Sequence, residues 1–166
     1  AYAAAYKVPT TLLRFFNVFG PRQRPDHEYA AVLPKWIWLA MQGQPIDVYG
    51  DGTASRDFTY VDTVLDIAMT AMKEKVVTEG AMNLAYGNRI FLNDTIEMLR
   101  NHFPDLQVNY VAERLGDVKE SQNAPELLNR LFPKVQPKEF ETALTETIQW
   151  LQEFGQSVAN GPATTD

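Results

Sequence analysis

Apolar residues along this chain change their period from one segment to the next, and those changes mark out the elements. Ala1-Tyr2-Ala3-Ala4-Ala5-Tyr6 reads as the inside of a helix that Val8-Pro9 ends, and no Ser, Thr, Asp or Asn caps its start. Residues 11–19 form a mostly apolar run closed by Gly20-Pro21, the pattern of a strand covered on both faces. A polar loop over 22–28 follows. Helical spacing then runs through Val32, Leu33, Trp36, Ile37 and Ala40 to Gly43, and Pro34 places the helix start there rather than earlier. A short strand over 45–49 leads through the turn Gly50-Asp51-Gly52 into a second strand over 56–61.

Asp62-Thr63 is expected to cap a helix over 64–75 with Leu65, Ala68, Met69 and Met72 on one face. Strands at 81–85 and 107–112 flank a helix over 93–101, and two more helices are expected near 125–131 and 138–154. The last residues, 155–166, are small and polar and are expected to be a disordered tail. Strands alternating with helices predict a mixed α/β fold. Neither an internal repeat nor an interdomain linker interrupts residues 1–154.

Composition narrows the possible roles. At 166 residues with 45% hydrophobic content, the chain is about one domain and ordinary for a globular protein. With no stretch near ~20 apolar residues, no membrane-spanning helix is expected. The net charge of −6 argues against a general nucleic-acid binder. The absence of cysteine excludes disulfides and thiolate metal sites and favours a reducing cytoplasm. Only His27 and His102 remain for a zinc centre, and neither has a metal-binding partner in sequence, so no metal site is expected.

Two arginines stand beside Gly/Asp clusters: Arg56 after Gly50-Asp51-Gly52-Thr53-Ala54-Ser55, and Arg114 before Leu115-Gly116-Asp117. One reading pairs each with a nearby aspartate on the surface, worth about 0–1 kcal/mol. The other has both converge on a diphosphate, whose oxygens the planar guanidinium fork matches two at a time. Residue types alone favour the surface pairing. Asn17 ends the apolar strand, where open α/β sheets place ligands, or else it is a turn residue bonding its own backbone. Tyr49 offers an aromatic face beside the glycine turn. The sequence holds no Gly-x-Gly-x-x-Gly loop, no Gly-x-Ser-x-Gly elbow and no Walker-type phosphate loop.

Taken in order, LRFFNVFGPRQRP, YAAVLPKW, PIDVYGDGTASRDFTYVD, NLAYGNRIFLND, RLGDVKES and ETALTETIQWLQEF resemble the C-terminal half of the extended short-chain dehydrogenase/reductase family. The resemblance is to its nucleotide-sugar epimerases, with features of the UDP-N-acetylhexosamine and UDP-glucuronate 4-epimerases, and it runs from Ala1 to about Phe154. It implies the C-terminal lobe of a Rossmann-type fold, a small mixed sheet with helices, without the N-terminal dinucleotide-binding half. Residues 1–20 would then be a remnant of the Rossmann helix and strand.

The resemblance also implies residue roles. Phe15 and Phe16 match positions near the nicotinamide of NAD, and Asn17 matches an asparagine that bonds the substrate. Leu33, Lys35 and Trp36 fall in the segment bordering the uridine, and Tyr49 lies next to the base. Arg56 and Arg114 match the two diphosphate arginines, and Asp117 the acid on the ribose hydroxyls. Three departures from the family pattern stand out: Leu115 in place of a proline, Gln122-Asn123-Ala124 after Ser121, and Asp62-Thr63 in place of an acidic pair. The family's catalytic Tyr-x-x-x-Lys pair is missing, because Tyr2 is followed four positions later by Tyr6 rather than lysine.

The expectation is therefore a UDP-sugar-binding lobe that is catalytically inactive alone and does not hold NAD tightly by itself. The alternative is a stand-alone, non-catalytic nucleotide-sugar-binding or assembly module. An apolar strand without its sheet also predicts a homodimer or strand swap through residues 1–20, unless a separate Rossmann half covers it.

Overall fold

The computed structural model describes residues 2–26, 30–114, 116 and 119–159. The opening helix α1 (Tyr2–Tyr6) buries none of its residues. The long apolar run that follows is not one strand. It divides into β1 (Leu12–Phe15) and β2 (Val18–Phe19), because Asn17 takes a left-handed φ of 31° and turns the chain between them. Each half then finds a different parallel partner. β1 pairs with β6 (Ala81–Leu84), and β2 pairs with β5 (Thr59–Tyr60).

The helix α2 (Val32–Met41) begins before Pro34 rather than at it. Pro34 lies in the first turn, where a backbone N–H would have no acceptor within the helix, and the first such bond runs from Lys35 N–H to Ala31 O. Strand β3 (Ile46–Tyr49) pairs in parallel with β8 (Val108–Val111). The strand expected over 56–61 is broken into β4 (Ser55–Arg56) and β5. The first of these pairs antiparallel with β7 (Ile90–Phe91), a two-residue strand too short to show a period in sequence.

The helix α3 (Val61–Glu74) starts earlier than expected, with Tyr60 as N-cap and Asp62 in the first turn, where its charge suits the helix dipole. It also turns a different face inward. Val64, Ile67 and Ala71 are buried with Met82 and Leu84 of β6 and with Leu128 of α5 (Glu126–Leu131), whereas Leu65, Met69 and Met72 are exposed. The helix carries two apolar stripes, and packing on β6 selects the one that the sequence pattern passed over. The other core joins α2 and β3 to α4 (Leu92–His102) and α6 (Phe140–Ala159), with Ile37, Ile46, Leu99 and Leu151 fully buried.

The final helix runs five residues into the segment expected to be a disordered tail. At Gly155 it lies so close to α2 that an added Cβ would stand 3.3 Å from Met41 Cε and 3.4 Å from the Trp38 ring. Packing on α2 thus carries the helix onward, while residues 160–166 lie outside the described part. No helix among the described residues is long and apolar enough to cross a membrane.

Candidate nucleotide-binding pocket

The β3–β4 turn is fixed by the start of α4. Asn93 N–H donates to Gly52 O at 3.1 Å, Leu92 N–H to Ala54 O at 3.0 Å, and the Asn93 amide to Asp51 O at 3.1 Å. Gly52 is required here: its φ is +75°, and an added Cβ would lie 2.0 Å from Asn93 Oδ1. Within the turn, Asp51 Oδ1 accepts from the Thr53 N–H and hydroxyl, which hold its carboxyl below the ordinary carboxylate range.

Between this turn, α2 and the residues Glu113, Arg114 and Lys119 lies a cavity of about 320 Å³. Val32, Lys35, Trp36 and Leu39 face it from α2, at the i, i+3, i+4, i+7 spacing of one helix side. Tyr49, Asp51 and Arg56 line it from the strands and turn, and Glu113, Arg114 and Lys119 line it as well. Five of the residues singled out in sequence therefore meet here: Lys35, Trp36, Tyr49, Arg56 and Arg114.

Leu33 does not join them. It is 1% exposed in the core beside Ile37, because the helical turn of about 100° per residue points it away from the face that carries Val32 and Trp36. Asn17 also stands apart from the cavity, its amide donating to Asp57 O at 3.1 Å and Ser121 Oγ at 3.4 Å. Phe15 is exposed and Phe16 half-buried at the end of β1, and neither lines the cavity. Asp117 lies outside the described residues, as does His27.

Arg56 and Asp57 are neighbours in sequence. They form no ion pair among the described residues. Asp57 is fully buried and accepts backbone N–H bonds from Gly87 (2.8 Å), Asn88 (3.2 Å) and Asn123 (3.1 Å). Burial pushes its carboxyl up, and those N–H bonds pull it partly back. Arg56 is left with its own chain, Nη1 donating to Ser55 O at 2.9 Å, so its charge faces the cavity without a carboxylate partner among the described residues. Arg114 lies over the Tyr49 ring and also bonds the Tyr49 hydroxyl. Trp36 is anchored by its indole N–H on Asp47 O at 3.2 Å.

Sequence reasoning missed two participants. Lys119 adds a fourth cation to the lining, in ion-pair contact with Glu113 at 3.3 Å, and its place just after the Arg114 loop is the only sequence signal for it. Asp57 is the other, and nothing local in the sequence signals its burial. With the Trp36 and Tyr49 rings and four cationic side chains in its lining, the cavity suits an anionic ligand that carries a flat ring.

The fold defines a class before any particular assignment: this is an α/β lobe of the extended short-chain dehydrogenase/reductase kind. Residues 1–85 match the NAD dependent epimerase/dehydratase family, and the chain belongs to that family. A curated relative, the UDP-N-acetyl-alpha-D-glucosaminuronate decarboxylase of Bacillus cytotoxicus, is 31% identical over 89% of this chain and 47% of its own length. The UDP-glucuronate 4-epimerase of Thermodesulfobacterium geofontis is also 31% identical, over 92% of this chain and 46% of its own.

Among solved structures, the UDP-N-acetylglucosamine 4-epimerase of Methanobrevibacter ruminantium M1, in complex with UDP-N-acetylmuramic acid, superposes with a TM-score of 0.84. It is 34% identical, with 92% of this chain and 49% of that one covered. The chain thus spans about half the length of the relatives it matches.

The family is NAD dependent, but the residues present here do not fit a complete NAD site. The stretch nearest to a dinucleotide loop, Gly50-Asp51-Gly52-Thr53-Ala54-Ser55, ends in serine and enters β4 rather than a helix. Phe15 and Phe16 alone supply no group to hold a diphosphate.

Proposed function

We propose that this chain is the nucleotide-sugar-binding lobe of an NAD dependent epimerase or dehydratase and takes a UDP-sugar in the 320 Å³ cavity. The observation that carries the reading is the convergence of Arg56, Arg114 and Lys119 on a cavity walled by Trp36 and Tyr49. In this reading the uracil lies beside Tyr49, within the Lys35 and Trp36 wall of α2. The diphosphate lies between the two guanidinium groups, whose fixed charge and forked donors suit its oxygens. Asp117 is assigned to the ribose hydroxyls and Asn17 to the sugar side, in keeping with the motif positions they occupy. The names of the relatives, which concern UDP-sugars, support the choice of nucleotide.

The chain alone is expected to turn nothing over, since no Tyr-x-x-x-Lys pair occurs in its sequence. Phe15 and Phe16 would border the nicotinamide only in company with a Rossmann half. Catalytic partner or none, the binding step is the same, so the reading as a stand-alone binding module rests on this same cavity. A cysteine-free composition suits a cytoplasmic setting.

The test is calorimetry of the full chain with UDP and UDP-sugars, paired with an epimerase assay containing NAD. Heat of binding that Arg56→Ala and Arg114→Ala both weaken, without turnover, is the expected result. No binding of UDP or any UDP-sugar would overturn the reading, and robust turnover would overturn the inactivity.

A further inference from the structure

Asp57 is, among the described residues, the one buried carboxylate, the binding scheme leaves it without a role, and its bonds lead to the wall of the cavity. Strand β4 has β7 on one side, with Ser55 opposite Phe91 and Arg56 opposite Ile90. On its other side the 119–121 segment runs parallel, through Ser55 N–H to Lys119 O at 2.9 Å and Ser121 N–H to Ser55 O at 3.2 Å. Beside these two backbone bonds, the exposed Arg89–Glu120 ion pair and Gln122 Nε2 donating to Gly87 O at 3.0 Å also tie the segment down.

Asp57 extends that hold, since its Oδ2 takes the Asn123 N–H at 3.1 Å as well as that of Gly87 at 2.8 Å, and its Oδ1 takes the Asn88 N–H at 3.2 Å. The Asn123 amide locks the same corner by donating to Ala85 O at 2.9 Å and accepting from Asn83 at 3.0 Å. Ser55 O receives both Ser121 N–H and Arg56 Nη1, so the guanidinium rests on the carbonyl that the 119–123 segment also uses.

We propose that Asp57 is a positioning residue for ligand binding: by holding 119–123 against β4 it fixes Arg56 and Lys119 for the diphosphate, and it touches no ligand itself. A fully buried carboxylate is costly unless N–H groups fill its lone pairs. Here every one of those donors is backbone, and two segments far apart in sequence, at 87–88 and at 123, supply them. No Lys, Arg or His pairs with it among the described residues, so it does not act by neutralising Arg56. The inference rests on the UDP-sugar reading above.

The experiment titrates the full chain with UDP and with uridine, following the Trp36 indole N–H by NMR. Asp57→Asn keeps the shape but loses acceptor capacity. It is expected to weaken UDP about tenfold and uridine less than about twofold, with thermal unfolding still cooperative. In the Asp57→Asn, Arg56→Ala double variant, the loss of UDP affinity is expected to be smaller than the sum of the two single losses, because Asp57 acts in part through Arg56 and in part through Lys119. Gly87→Ala probes the same seam with the carboxylate left intact. Its φ is +79°, and an added Cβ would stand 3.0 Å from Asn123 O, so the same selective loss of UDP affinity is expected.

Unchanged UDP affinity in Asp57→Asn, equal weakening of UDP and uridine, or full additivity with Arg56→Ala overturns the assignment. Should Asp57→Asn not fold, the Gly87→Ala titration decides alone by the same criteria. A wild-type chain that does not bind UDP overturns the binding reading and this inference together, whereas wild-type binding with an unaffected variant overturns this inference only.

Discussion

The Arg114 guanidinium lies across the face of Tyr49, 3.7 Å from the ring centroid, and donates to the hydroxyl of the same residue. An exposed arginine ordinarily samples many rotamers, and this contact holds it at the cavity mouth before any ligand arrives. The two residues are 65 positions apart and meet because β3 and β8 run side by side, with Tyr49 opposite Val111. Removing the ring should therefore cost both stacking surface and the arginine's placement. Tyr49→Leu is expected to weaken UDP by about 1–3 kcal/mol, and Tyr49→Phe, which keeps the face, by less. Calorimetry at fixed ionic strength checks both, and equal losses would contradict the role given to the ring.

Arg56 differs from Arg114 in having no side-chain partner among the described residues. Arg56→Ala is expected to cost about 1.5–3 kcal/mol in UDP affinity, the range for a hydrogen bond to a charged group. Arg56→Lys should recover only part of that, since an ammonium lacks the planar fork. Raising salt should narrow the gap between wild type and Arg56→Ala. A lysine variant that binds as tightly as wild type would count against forked recognition.

Gly52 is tested by its own geometry. Gly52→Ala places a methyl group 2.0 Å from Asn93 Oδ1 at a left-handed φ of +75°. The turn or the start of α4 must shift, and a destabilisation of more than about 1 kcal/mol is expected, seen as a drop of roughly 2–4 °C or more in Tm. UDP affinity should fall with it, because Arg56 follows the same turn. An alanine variant with unchanged Tm would show that the clash is relieved at no cost.

The acid limb of stability follows from α6. Glu139 is held below the ordinary carboxylate range by the backbone N–H groups of Glu141 and Thr142, and Glu146 by Lys138 and the Tyr60 hydroxyl. Each folded value lies below the unfolded one, so their contribution is present above the ordinary carboxylate value and is lost as pH falls through the folded value. Asp57 acts in the opposite sense and in a higher window: with its folded value raised, stability falls as pH rises from the ordinary carboxylate value through the raised one. Tm should therefore decline on acidification below about pH 4, less steeply in Glu139→Gln and Glu146→Gln. Parallel Tm profiles for wild type and both variants would contradict this.

The β1 surface carries the last prediction. Leu12 and Phe15 are 46% and 60% exposed on a strand whose one ladder among the described residues is with β6. Such a strand favours pairing with another chain. Light scattering is expected to show a concentration-dependent dimer through residues 1–20, shifted toward monomer by Phe15→Lys. A monomer at every concentration would contradict it, and a Rossmann half supplied separately should compete with the dimer for the same surface.

Legibility in the sequence followed how local each cause was. The positions of α4, β3, β6 and α5 could be read to within a few residues, because period and flanking breakers are local properties. The inward face of α3 could not, since Leu65, Met69 and Met72 are as apolar as the residues buried in their place, and only the position of β6 chooses between them. The same held for Leu33 and Lys35: both belong to a recognisable motif, but the rotation of α2 sends one to the core and the other to the cavity.

The order of motifs along the chain was sufficient by itself to determine the family and the α/β character, and it drew attention to two distant arginines that the fold brings to the lining of one cavity. That information survives in sequence because it concerns residue types and their order. Tertiary structure alone decided what Arg56 and Asp57 are to each other. As neighbours in sequence they read as an ion pair; folding instead buries the carboxylate under three backbone N–H groups and leaves the guanidinium facing the cavity. The physical reason is that a buried carboxylate needs donors from wherever the fold brings them, here from residues 87, 88 and 123, and no local pattern announces partners that far away.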